Sequence, residues 1–95
     1  MTLGKVVGTI VTHSRNDGMD GSRYLLIART DQYGTKREDY IVALDTLGVG
    51  YDEMVMVTEG SPARETPDTI NKPCDALIVG IIDRIDEMGT IVYRK

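Results

Sequence analysis

The chain contains no Phe, no Trp and a single Cys, and each shortage removes a class of protein. One cysteine makes no internal disulfide, so no covalent framework holds this fold, which fits a reducing, cytoplasmic compartment. No apolar run approaches the roughly 18 residues that would span a bilayer. The first residues place Gly4 and Lys5 inside a strand-like pattern, not in the basic-then-apolar order of a secretory leader, so neither membrane span nor leader is expected. Positive charge is also short: 11 Lys and Arg stand against 15 Asp and Glu, a net charge of −4. With a pI near 4.8 the summed field repels polyanions, and nucleic acid is a poor partner. One Cys and one His, far apart, make no cluster of zinc ligands; no metal and no cofactor is expected.

What is present is an aliphatic core. At 95 residues the chain has the size of one domain, taken as residues 1–95. Such a chain buries only about 60 to 65% of its unfolded surface, so its stability is marginal unless oligomerisation adds to it. The 41% hydrophobic content is mostly Val, Ile, Leu, Met and Ala. Branched aliphatics lose χ1 freedom against a helical turn and suit a pleated surface, which favours strands.

Residues 3–12 are rich in β-branched side chains and read as a long strand, bent where Gly4 and Gly8 interrupt it. The stretch 14–22 collects Asn16, Asp17, Gly18, Asp20 and Gly21 and reads as a loop. Apolar runs at 24–28 and 40–44, separated by turn residues at 30–35, predict a hairpin, with the charges of Lys36, Arg37, Glu38 and Asp39 at its solvated tip. A fourth strand at 54–58 is closed by Gly60. The pairs Ser61-Pro62 and Thr66-Pro67 each place a cap residue before a proline and predict one short helix, ended by Pro73. Residues 76–82 form a continuous apolar run, expected to be a central strand covered on both faces, and 91–93 form a last short strand. Five or six short strands with regular turn signals and one late helix predict an all-β fold, a small OB-like barrel.

Candidate chemistry is thin. Nucleophilic catalysis would have to join His13 to Cys74 or a serine, and a surface histidine with a buried packing cysteine is the commoner case. The acid pairs Asp52-Glu53 and Asp86-Glu87 point to opposite faces of a strand, which makes them turn charges before cation ligands. Gly48-Val49-Gly50 lacks both the dinucleotide fingerprint and the Lys-Ser/Thr ending of a phosphate loop and reads as a tight turn. Two rivals to a structural role stay open on residues alone. One is a monomeric OB-like domain stacking single-stranded nucleic acid on its tyrosines; the other is a small enzyme using Cys74 and His13.

A set of linked segments makes the reading specific. Leu3-Gly4-Lys5-Val6-Val7-Gly8-Thr9 opens the chain, and a loop ending at Gly21 leads to Tyr24-Leu25-Leu26-Ile27. Val42-Ala43-Leu44-Asp45-Thr46-Leu47-Gly48-Val49-Gly50 then runs through Val55-Met56-Val57 to Gly60-Ser61-Pro62-Ala63-Arg64, and residues 73–83 close the pattern. In order and spacing this resembles the family of bacterial microcompartment vertex proteins, the EutN/CcmL family, over nearly the whole chain. Tyr51, Pro62 and Cys74 depart from its usual residues without breaking the pattern.

The resemblance implies an OB-like barrel that assembles as a homopentamer, a structural protein without catalytic activity. It would close the vertices of a polyhedral shell whose facets are hexameric shell proteins. A small barrel with unpaired edges must pair, cover or charge them, and a cyclic head-to-tail interface would bury each edge against the next subunit. Within such a ring Gly48 and Gly50 are expected at a turn where backbone approaches backbone. Ser61 and Arg64 are expected at the subunit boundary, the Arg64 guanidinium finding a carboxylate or carbonyl partner there.

Overall fold

In the computed structural model, residues 1–11, 22–60, 63 and 75–95 are described. They contain strands β1 (Thr2–Ile10), β2 (Arg23–Thr30), β3 (Lys36–Asp45), β4 (Met54–Glu59), β5 (Ala76–Ile81), β6 (Arg84–Glu87) and β7 (Thr90–Arg94). The first five close a barrel in the order β1-β2-β3-β5-β4, and β6 and β7 form a separate two-stranded sheet. Every barrel pairing is antiparallel except β3 with β5, which run parallel where Leu44 meets Leu77.

Closure requires strands to bend, and the chain does this with bulges. In β1 the register slips between Val6, opposite Ile27, and Gly8, opposite Leu26. Gly4 lies on the buried side, where a Cβ would crowd Ile27 and come within 3.0 Å of the Ala28 carbonyl oxygen. Here the close approach of β2 excludes a side chain. The expected bend at Gly4 and Gly8 is thus present, built from one close approach and one bulge.

Val6, Leu25, Ile27, Ala43, Val49, Val55, Val57, Ala76 and Ile78 fill the barrel. A second cluster joins Tyr24, Leu44, Ala63 and Leu77, with Ile10 against it. Register explains that cluster: Ile10 faces Tyr24, Tyr24 faces Leu44, and Leu44 faces Leu77, one layer across four strands. Ala63 covers it from outside the strands and is fully buried.

Three expectations change. The charged run Lys36, Arg37, Glu38 and Asp39 is not the hairpin tip but exposed strand at the start of β3. The tip closes earlier because the Asp31 carboxylate accepts hydrogen bonds from the amides of Tyr33 (2.9 Å) and Thr35 (3.0 Å). β5 does lie between two barrel strands, yet it is not covered on both faces. Ala76, Leu77 and Ile78 are buried, whereas Val79 is 39% and Ile81 37% exposed. Finally, the last strand pairs with β6, unforeseen in the sequence, so the barrel has five strands and the hairpin two. The short helix expected between Ser61 and Pro73 falls outside the described residues, as do His13 and Cys74.

Candidate assembly surfaces

The loop after β3 is held by one carboxylate. Asp45 Oδ1 accepts from the amides of Leu47 (2.9 Å) and Gly48 (3.1 Å), and Oδ2 accepts from Val49 (2.9 Å). Arg23 adds an ion pair at 3.2 Å to a side chain with no exposed surface. An acidic residue followed by short, small residues is what such a turn requires, because the carboxylate substitutes for backbone acceptors. Gly48 completes it with φ +79°, a left-handed conformation that costs glycine nothing. Space around Gly48 is open on its own subunit, so within the subunit the dihedral, not close approach, demands glycine. The tight-turn reading of Gly48-Val49-Gly50 therefore stands, with Val49 driven into the core and Leu47 left half exposed.

Gly50 is tied to the next turn: its amide donates to Glu53 Oε1 at 2.8 Å. Lys95 Nζ donates to Glu53 Oε2 at 3.1 Å. The Gly50 amide first, and Lys95 second, hold the Glu53 carboxyl below the usual carboxylate range.

A polar row crosses the outside of the barrel. Arg29 on β2 grips Glu59 on β4 through two parallel bonds, 3.0 and 2.9 Å, while its Nε faces Asp39 on β3 at 3.1 Å. Thr2 on β1 donates to Glu59 at 2.6 Å. Four strands are thereby linked by a bidentate, charge-assisted pair with a third acid behind it. The Arg29 guanidinium first, then the Thr2 hydroxyl, bring the Glu59 carboxyl down to about 2.

Among the described residues, apolar side chains are left uncovered in several places, among them two on the barrel wall. Leu3, Met56, Ile81, Ile82 and Ile85 line a groove of about 810 Å³ between the barrel wall and the start of the hairpin, rimmed by Asp83, Arg84 and Asp86. Leu3 and Met56 are direct cross-strand partners, which puts both on the outer face. The other patch is the outer face of β3, where Tyr40 (54%) and Val42 (48%) are exposed.

Of the residues expected to matter, Gly48 is pinned by the Asp45 carboxylate and Gly50 by that of Glu53; Ser61 and Arg64 lie outside the described residues. Sequence reasoning passed over Asp45, Arg29 and Glu59. Asp45 had a readable signal in the glycine three positions later. Arg29 and Glu59 had none, since 30 residues separate partners that only barrel closure brings together. Of the five tyrosines, Tyr24 is buried in the core and Tyr93 lies under the Lys5 ammonium, 5.8 Å from the ring centre, while Tyr33, Tyr40 and Tyr51 are exposed.

Comparison with known proteins gives these surfaces a context. Residues 1–83 match the family described as ethanolamine utilisation protein EutN/carboxysome. The chain is similar to the carboxysome shell vertex protein CcmL of Synechocystis sp., 39% identical over 100% of this chain and 95% of that protein. Among solved structures, CcmL of Gloeobacter violaceus superposes with a TM-score of 0.93 at 36% identity, covering 100% of this chain and 98% of the other. GrpN of Rhodospirillum rubrum, described as a pentameric microcompartment shell protein, superposes at 0.82 with 36% identity over 93% of this chain and 100% of its own.

Proposed function

This chain belongs to the EutN/CcmL family, and on that premise we propose that its work is structural: it forms pentamers that cap the vertices of a bacterial microcompartment shell. The observation that carries the reading is similarity over 94 to 100% of this chain to vertex proteins named for different compartments, with a solved vertex protein superposing on the whole barrel chain at a TM-score of 0.93. Barrel physics supports it. A closed five-stranded barrel satisfies its own backbone, so what it offers a partner is side-chain surface, and this chain leaves aliphatic side chains exposed on several strands.

The whole chain, residues 1–95, acts as one domain without catalytic activity, located in the shell inside the cytoplasm. Hexameric shell proteins are its neighbours around the vertex. Gly48 and Gly50 sit at the subunit boundary, where the open space beside Gly48 admits the backbone of the next subunit. Ser61 and Arg64 flank the same boundary, Arg64 pairing with a carboxylate or carbonyl across it.

Native mass spectrometry tests the reading directly. A species at five times 10.5 kDa is expected. A stable monomer at micromolar concentration would sink it. An Arg64→Ala ring that kept its size and melting temperature would remove the role given to Arg64 while leaving the pentamer intact.

A further inference from the structure

We infer that Lys95 and Glu53 form a latch: with the hairpin docked on the barrel, the Lys95 ammonium holds the Glu53 carboxylate on the Gly50 amide and so fixes the loop at residues 48–53. The inference concerns a single subunit and goes beyond the pentamer reading. Three observations argue for it.

First, a side chain closes this turn more firmly than its backbone does. The Glu53 amide reaches the Gly50 carbonyl only at 3.4 Å, and Asp52 holds a left-handed φ of +66°, which is unfavourable for a residue other than glycine. The Gly50 amide, by contrast, donates to Glu53 Oε1 at 2.8 Å. Glu53 itself is anchored to β1: its carbonyl accepts from the Val6 amide at 3.1 Å, and the Asp52 amide donates to the Val6 carbonyl at 2.8 Å. The carboxylate thus ties the Gly50 side of the turn to a side already fixed on the barrel.

Second, Gly50 leaves room for that carboxylate. Its backbone is not left-handed, so the dihedral makes no demand for glycine here. A Cβ at this position would instead come within 3.1 Å of Glu53 Oε1 and push the carboxylate away from the amide. The two glycines of the loop therefore have different reasons, a dihedral at Gly48 and a seated carboxylate at Gly50.

Third, the hairpin delivers Lys95 to the other carboxylate oxygen. The Tyr93 ring packs where a Cβ on Gly34 would come within 3.1 Å of it, and it lies under the Lys5 ammonium. Strand alternation carried one residue past β7 puts Lys95 on the same barrel-facing side as Tyr93. The Lys95 amide keeps it there by donating to the Asp83 carbonyl at 2.9 Å. From this position Nζ donates to Glu53 Oε2 at 3.1 Å. Lys36 serves the neighbouring acid instead, 3.9 Å from Asp52. The two oxygens of Glu53 are divided between loop and hairpin, one to each.

The lysine end of the pair is 54% exposed, and exposed ion pairs add little to global stability. The latch therefore acts locally, on a loop that presents Tyr51, 72% exposed, at the surface.

The experiment uses full-length protein. Amide exchange is followed residue by residue by NMR in wild type, Lys95→Met and Lys95→Arg at one pH and salt concentration; methionine keeps a long side chain and removes the charge. The Gly50 amide is expected to exchange at least about threefold faster in Lys95→Met and to regain wild-type protection in Lys95→Arg. The Gly48 and Val49 amides, held by Asp45, are the internal control and should not change, nor should the melting temperature. Coupling is reciprocal, so Glu53→Gln, which keeps an acceptor for Gly50 but loses the charge, should speed exchange of the Lys95 amide. Unchanged Gly50 exchange in Lys95→Met, equal acceleration in Lys95→Arg, acceleration shared by Gly48 and Val49, or a Lys95 amide indifferent to Glu53→Gln overturns the inference. So does a clear fall in the melting temperature of Lys95→Met, because the lysine then supports the whole barrel and not the loop.

Discussion

The barrel and the C-terminal hairpin are both β-sheet, but they satisfy their strands in opposite ways. In the barrel each strand has two neighbours and one face turned into a shared aliphatic core, with Leu25, Ile27, Ala43, Val55 and Val57 wholly buried. The hairpin has two strands, two free edges and no fully buried side chain. A two-stranded hairpin is marginal by itself in water. This one is held to the barrel by contacts that are mainly polar: Glu87 accepts from Gln32 (3.0 Å) and Tyr33 (3.4 Å), Lys95 reaches Glu53 (3.1 Å), and Tyr93 sits beneath Lys5. Hydrophobic closure therefore sets the stability of one region, while surface hydrogen bonds only set the position of the other. The hairpin also lines part of the groove, through Arg84, Ile85 and Asp86.

The largest effects should come from the barrel. Leu25→Ala removes a fully buried side chain from the centre of the core and should cost about 3 kcal/mol in urea unfolding at fixed protein concentration. If the two regions differ as argued, hydrogen exchange should show protection falling throughout β1–β5 in this variant. Exchange in β6–β7 should hardly change, because those amides exchange through local opening. Equal loss in both would mean that barrel and hairpin are one cooperative unit.

Asp45→Ala comes next. It strips three loop amides and the Arg23 guanidinium of their acceptor at a fully buried carboxylate. A loss of about 2 kcal/mol is expected, measured by thermal melting. Asp45→Asn should recover part of it, since the amide oxygen still accepts.

The Arg29–Glu59 grip gives a smaller, pH-dependent term. Glu59 titrates near 2 in the folded chain against an ordinary 4.5. A carboxyl held lower in the folded state stabilises fully above its unfolded value, and that stabilisation fades as the pH falls from about 4.5 toward 2. The Glu59 side chain is 35% exposed, so solvent screening reduces the contribution to about 1 kcal/mol. Glu59→Gln should lower stability by that amount at pH 7 and flatten its dependence between about pH 4.5 and about 2. An unchanged acid limb would show that the grip does not stabilise the barrel.

Much of the barrel could be read from residue order, and the reasons are local. A β-branched run marked β1, apolar runs flanked by turn residues marked β2 and β4, and the continuous apolar run 76–82 marked β5. Lys36 to Asp39 read as a hairpin tip because a charged run resembles a solvated turn, whereas Asp31, with its carboxylate bonded two and four residues ahead, closes the turn before them. β6 escaped because Arg84, Ile85, Asp86 and Glu87 carry one apolar residue in four; its strand conformation comes from pairing with β7, not from its own pattern. The loop around Gly48 was readable from glycine placement, while the groove was not. Leu3, Met56 and Ile81 are scattered in sequence and become one surface only through cross-strand register.

The smallest expected effect bears most directly on the difference between the two regions. Glu87→Ala removes both acceptors that tie the hairpin to Gln32 and Tyr33, yet these bonds are exposed, and global stability should change by less than about 0.5 kcal/mol. The consequence should be local. With one tether gone, the hairpin keeps Lys95 on Glu53 and Tyr93 under Lys5, so its amides near the tip should exchange several-fold faster than those near residue 95. The Met88–Gly89 turn, where Met88 already holds a left-handed φ of +51°, adds to that bias because a non-glycine residue gains by leaving it. Equal exchange along the whole hairpin would mean that the Glu87 bonds do not tether its tip.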